Sequence, residues 1–178
     1  MSIIVVTGVP GVGKTTVMRA AKEFCFEIVN FGSVMFEQAS KDGVEDRDAM
    51  RKLPVLSQRK YQKMAGEAIA KMGDVVVDTH ASISTLSGFL PGLPEWTVKA
   101  MNPDVIVLVE ANADEINGRR AKDGARERDH DDVDTHQAVN RLFAVSAAAM
   151  VGATVGIVKN HDGCVDEAVS QFRSILGE

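Results

Sequence analysis

The residues best suited to chemistry lie in Gly8-Val9-Pro10-Gly11-Val12-Gly13-Lys14-Thr15-Thr16. Glycines at this spacing let successive backbone N–H groups curl round an anion, because a Cβ would clash in the conformations required. Lys14 can then reach the β- and γ-phosphates of a nucleoside triphosphate, and the Thr15 hydroxyl can ligate Mg²⁺. Asp78 closes the apolar run Val75-Val76-Val77, a place from which a carboxylate can hold Mg²⁺ or its water shell. His80 has two readings, a group facing an acceptor or a structural histidine.

Arginine is the second signal. Arg119, Arg120, Arg126, Arg128 and Arg141 lie on and around residues 122–134, a nearly all-charged stretch that should be exposed. Lysine would serve a solvated face equally well, whereas guanidinium forks match the spread charge of a transferring phosphoryl group. Arg51 lies elsewhere, after the second predicted strand. It is either the ligand of a second anionic substrate or an exposed helix charge.

These groups need a scaffold that brings them to one edge. Apolar, β-branched runs predict strands at 3–6, 27–31, 75–77, 105–109 and 154–158. Helical composition predicts helices at 14–24, 33–41, 57–72, 95–101, 113–121, 135–151 and 166–176, with Ser33 as a cap. Residues 44–53 read as irregular, and 81–94, rich in Ser, Gly and Pro, as a loop. Alternating strands and helices argue for an α/β chain. The expectation is a three-layer α/β/α phosphate-loop NTPase fold: a central five-stranded parallel sheet with a short lid, forming one domain over 1–178. In such sheets ligands bind at the carboxyl ends of the strands, where Gly8, Gly32, Asp78 and Glu110 fall.

Composition narrows the classes. The 178 residues suit one domain with a sizeable core, and a net charge of −5 argues against nucleic acid or an anionic membrane as partner. Cys25 and Cys164 are far apart and fit no metal-type spacing, which reads as free thiols in a reducing compartment. Residues 3–6 are too short for a signal peptide and no apolar stretch would span a bilayer, so a cytoplasmic protein is expected.

The chain resembles the archaeal-type adenylate kinases, a family of phosphate-loop nucleoside monophosphate kinases. The phosphate loop is generic. More selective are Asn30-Phe31-Gly32 and Met50-Arg51-Lys52-Leu53, and Val76-Val77-Asp78-Thr79-His80, Gly92-Leu93-Pro94-Glu95-Trp96, Arg126-Glu127-Arg128-Asp129 and Lys159-Asn160-His161-Asp162-Gly163 also fit. The resemblance implies the reaction Mg·ATP + AMP ⇌ 2 ADP, an AMP-binding region at about 30–60 and a lid at about 122–134. It implies that Gly8–Thr16, Arg119 and Asn160 bind ATP, and that Phe31, Gly32, Arg51 and His80 line the AMP site. Lys14, Arg120, Arg126 and Arg128 would act on the transferring group, with Thr15 and Asp78 as the Mg²⁺ site. The resemblance leaves open which of Arg119 and Arg120 meets the nucleotide. A homotrimer is also implied.

A phosphate acceptor is already anionic and needs no general base. Two other readings stand beside AMP. One is a kinase of the same fold acting on CMP, UMP or a small hydroxyl metabolite, with Asp78 as base. The other is a non-catalytic NTP-binding switch. The switch is disfavoured by Ala81 in Asp78-Thr79-His80-Ala81, where Asp-x-x-Gly would be wanted, and by the order Lys159-Asn160-His161-Asp162 in place of Asn-Lys-x-Asp.

Overall fold

Three strands carry the β-branched runs through the middle of the molecule: β1 (Ile3–Thr7), β3 (Val75–Asp78) and β6 (Val105–Glu110). They are flanked by β2 (Glu27–Asn30) and β7 (Thr154–Lys159) in a five-stranded parallel sheet of order β2-β3-β1-β6-β7. The structure is a computed structural model that describes residues 2–85, 87–122 and 132–177. Its helices are α1 (Lys14–Met18), continued by a 3-10 segment (Arg19–Phe24), α2 (Phe31–Ser40), α3 (Arg47–Arg51), α4 (Val55–Ile69), α5 (Glu95–Met101), α6 (Ala113–Lys122), α7 (Val133–Val151) and α8 (Val165–Leu176).

Alternate residues of the strands face opposite layers, as the two-residue period of a strand requires. Val5, Val77, Ile106 and Leu108 pack with Tyr61, Ile69, Val98, Met101 and Ala144 on one side. On the other side, Ile4, Val6, Val76 and Val107 pack with Val17, Met18, Ala168 and Phe172. Burial on both faces explains why the central strands read as unbroken apolar runs.

Three local expectations are revised. Asn30, not Ser33, caps α2: its side-chain oxygen accepts from Ser33 N at 3.1 Å, so the helix starts at Phe31. Asp46 accepts from Ala49 N at 2.7 Å and nucleates α3 inside the stretch read as irregular. Residues 81–94 contain two strands, β4 (Ser82–Thr85) and β5 (Gly88–Pro91), which pair antiparallel. Their apolar residues are too few to show a period, and Gly and Pro mask the pairing. The parallel registers align Asn30 with Asp78 and Val6 with Asp78, which brings the cap, the carboxylate and the phosphate loop to one sheet edge. Among the described residues no helix is long and apolar enough to cross a membrane.

Candidate active site

The loop between β1 and α1 is held by close packing. Gly13 has φ +90°, and a Cβ there would lie 2.4 Å from Asn160 Nδ2. At Gly8 a Cβ would lie 2.6 Å from the Val109 carbonyl oxygen. Lys14 reaches back across the loop. Its Nζ donates to Thr79 O at 2.8 Å and Gly8 O at 3.4 Å, and lies 3.2 Å from Asp78 Oδ1. Burial pulls the lysine below its usual pKa, and the Asp78 carboxylate partly restores it.

Asp78 is the other half of this arrangement. Oδ2 accepts from Asn30 Nδ2 at 3.2 Å, while Oδ1 is buried and accepts no hydrogen bond. Oδ1 faces the Lys14 ammonium, and Asp78 and the exposed Thr15 both line the same cleft. One carboxylate and one hydroxyl suit Mg²⁺, which keeps most of its shell as water and phosphate oxygen. Among the described residues there is no cluster of three or more His, Cys, Asp or Glu that could cage a metal alone.

A clamp ties the loop to the segment after β7. Arg119 donates to Val12 O at 3.0 Å, to Asn160 O at 2.8 Å and to Asp162 Oδ1 at 2.6 Å. Asn160 Nδ2 also donates to Val12 O, at 2.8 Å. Glu115 accepts from His161 Nδ1, Asp162 N and Asn112 N, and these three bonds hold its carboxyl down to about 2. Arg120 donates to Pro10 O at 2.8 Å. Both arginines that the sequence could not tell apart thus touch the backbone of the phosphate loop.

The loop forms one end of a cleft of about 1020 Å³. The far wall comes from α2, α3 and α4: Phe31, Gly32, Met35, Arg47, Met50, Arg51, Gln58 and Gln62. Arg51 is exposed and pairs with Asp48 at 3.0 Å. His80 lies at the junction, its Nδ1 3.3 Å from Lys14 Nζ and 3.2 Å from Gly8 O. The ring is packed against the loop on one side and open on the other. Burial and the Lys14 ammonium push its pKa down to about 4, so it is neutral at physiological pH.

The cleft brings together Val9, Pro10, Gly11, Gly13, Lys14, Thr15, Phe31, Gly32, Arg51, Asp78, His80 and Arg119. Arg141 lies elsewhere. It and Lys159 grip the buried Glu110 at 2.6 Å each, lining a separate hollow of about 460 Å³. Arg126 and Arg128 lie outside the described residues. Sequence reading missed Arg47, Gln58 and Gln62 as site residues. The one available signal was the spacing of Gln58 and Gln62, which puts both on one helix face.

A family model described as "AAA domain" matches residues 7–137. The chain is 48% identical to the adenylate kinase of Methanocaldococcus jannaschii, over 98% of this chain and 97% of the relative. It is 50% identical to that of Methanopyrus kandleri, over 96% and 95%. The chain belongs to the adenylate kinase family. It is therefore a phosphotransferase of archaeal type. The fold is also shared with a shikimate kinase from Bacteroides thetaiotaomicron, at a TM-score of 0.60 and 15% identity over 99% of both chains. That likeness speaks for the scaffold alone.

Proposed function

We propose that this chain transfers the γ-phosphoryl group of ATP to AMP, giving two ADP, in the cleft between the phosphate loop and the α2–α4 wall. The observation that carries the reading is that cleft: one continuous space of about 1020 Å³ with the phosphate loop at one end and Arg47 and Arg51 at the other. Its volume is at the upper end of the roughly 300–1000 Å³ range of small-molecule sites, as two nucleotides would need.

The residues divide the work by position. Backbone N–H groups of Gly8–Thr16 cradle the triphosphate, and Lys14, already aimed by Thr79 O, follows the β- and γ-phosphates. Arg119 and Asn160 fix the loop around ATP. Phe31, Gly32, Arg51 and His80, with Arg47, face AMP. Because His80 is neutral, it does not compete with Lys14 for the phosphates as a second charge. An AMP phosphate oxygen attacks without deprotonation, so the chain need supply only orientation and positive charge. Arg120 supplies part of it, and Arg126 and Arg128 act from a lid at about 122–134. Mg²⁺, held by the Thr15 hydroxyl and Asp78, directly or through water, would neutralise charge on the β- and γ-oxygens when bound.

The assembly is a homotrimer in a cytoplasmic setting. Support for association comes from α7, where Ala138, Leu142, Val145 and Ala149 form an exposed apolar stripe at spacings of four, three and four. Ile157 of the edge strand β7 is exposed as well. Both cysteines are free thiols. Light scattering reads the mass directly: Leu142→Glu should shift a trimer toward monomer, and a wild-type monomer would refute the assembly.

A coupled assay of ADP formation over a panel of acceptors tests the reaction. Stoichiometric ADP with AMP is expected, and Lys14→Ala should abolish it while the far-UV spectrum stays unchanged. Turnover confined to a hydroxyl acceptor would overturn the reading.

A further inference from the structure

Asn140 is a polar side chain in an apolar place. It lies on the buried stripe of α7, one turn before Ala144, and is 3% exposed. A buried amide costs stability unless its polar atoms are paired. Its Oδ1 has three donors within reach: Ser82 N at 3.2 Å, Ser82 Oγ at 3.2 Å and Thr7 Oγ1 at 3.4 Å. A backbone N–H can only donate, so the amide oxygen must face Ser82. Thr7 is fully buried at the end of β1, and its Oγ1 in turn accepts from Ala81 N at 2.7 Å. The bonds thus run from α7 to the root of the phosphate loop and to the segment after β3.

Both strand ends carry a carbonyl that holds Lys14. Gly8 follows Thr7 directly, and Thr79 lies two residues before Ala81. Lys14 Nζ donates to Thr79 O at 2.8 Å and to Gly8 O at 3.4 Å. Backbone pairing between the two strands runs out at this point. Thr79 N still donates to Val6 O at 3.1 Å, and at Ala81 the Thr7 hydroxyl takes the place of a ladder carbonyl. We propose that Thr7 and Asn140 are positioning residues for phosphoryl transfer: they fix the ends of β1 and β3 so that Gly8 O and Thr79 O aim Lys14. Neither side chain lines the cleft, so each acts through Lys14. The assignment rests on the role given to Lys14 above, whichever acceptor takes the phosphoryl group. The two hydroxyls of the network are not equivalent. An amide oxygen has two lone pairs, and the fixed Ser82 N–H holds one. The Ser82 and Thr7 hydroxyls rotate and share the other. Loss of the Ser82 hydroxyl hands that place to Thr7, whereas loss of the Thr7 hydroxyl leaves the Ala81 N–H facing carbon.

The test is steady-state kinetics with Mg·ATP and AMP, set beside urea unfolding of the same proteins. Thr7→Val keeps the shape and removes the oxygen. It should lower kcat by about tenfold or more while KM for ATP and for AMP stay within about threefold, because an ill-aimed Lys14 fails mainly where charge develops. Thr7→Ser keeps the hydroxyl and should return kcat to within about threefold of the wild type. Ser82→Ala should leave kcat within about twofold. Ile69→Val trims the core that Ala144 shares, and should lower the urea midpoint without lowering kcat. Should Thr7→Val fail to fold, Asn140→Ala carries the same expected loss of kcat. A folded Thr7→Val with kcat within about twofold of the wild type overturns the proposal. So does a Thr7→Ser as slow as Thr7→Val, or an equal loss of kcat in Ser82→Ala or Ile69→Val, which would make the network a matter of stability alone. A wild type that transfers only to another acceptor rejects the AMP reading, and the same variants are then compared on that acceptor. A wild type with no transfer to any acceptor rejects both.

Discussion

Gly92→Ala should damage the active site from behind. Gly92 follows β5, and its N–H donates to Ala81 O at 2.7 Å. Its φ is not in the left-handed region, so alanine meets no conformational penalty there. The penalty is contact: a Cβ would lie 1.9 Å from His80 O and 2.8 Å from His80 C. Restoring even a tight 3.0 Å contact requires the His80 carbonyl or the Gly92 backbone to move by about 1 Å. Backbone against backbone leaves no flexible side chain to yield. The neighbouring Thr79 carbonyl anchors Lys14 Nζ at 2.8 Å, so the displacement is delivered to Lys14, the lysine proposed to follow the phosphates. Overpacking of this kind destabilises by about 1–3 kcal/mol. A misplacement of about 1 Å at the catalytic group lowers kcat by about 100-fold. Urea unfolding and kcat at saturating ATP and AMP read the two effects separately. Gly118→Ala is the contrast. Gly118 lies in α6 with nothing within 4 Å of a new Cβ, so alanine should add about 0.5–1 kcal/mol of stability and leave kcat alone. A Gly92→Ala protein with wild-type stability and turnover would refute the reasoning.

Further outcomes follow from the same contacts. His80 has a folded pKa of about 4 against 6.5 for the free group, so its contribution to stability is complete above about pH 6.5 and is lost as pH falls toward 4. His80→Gln should flatten that part of the urea-midpoint profile, and identical slopes for both proteins would exclude His80 as the cause. Arg119→Met removes donors to Val12 O, Asn160 O and Asp162, and should raise KM for ATP by about tenfold while KM for AMP moves less. Equal rises in both KM values would show general loosening instead. Glu110→Gln should lose about 1 kcal/mol, a modest figure because Arg141 and Lys159 are each half exposed, and chemical denaturation measures it. Burial raises the Glu110 pKa, but bonds from Arg141 and Lys159 outweigh that and hold it below normal. The pair's stabilisation is therefore present above the usual carboxylate pKa and fades as acid protonates Glu110.

What could be read from the sequence was what is local in it. The phosphate loop and the buried strands are runs of consecutive residues whose pattern carries their physics, and they place Asp78 and Gly8 at one edge without any tertiary information. The pieces that escaped are made by contacts across the chain. Gln62 acquires a fixed donor only because Trp96, 34 residues later, takes its oxygen. The β4–β5 pair was hidden by glycine and proline, which signal loops whether or not two short strands meet between them. Arginine shows the difference most clearly. The sequence argument for arginine over lysine at 119 was phosphate chemistry. In the fold, Arg119 already bonds two carbonyls and a carboxylate, 41 to 107 residues away in sequence. An ammonium on a single stem could not span those acceptors, whereas the planar fork does. The preference at 119 thus has a cause that precedes any nucleotide, and a role in ATP binding there includes holding the loop that does the binding.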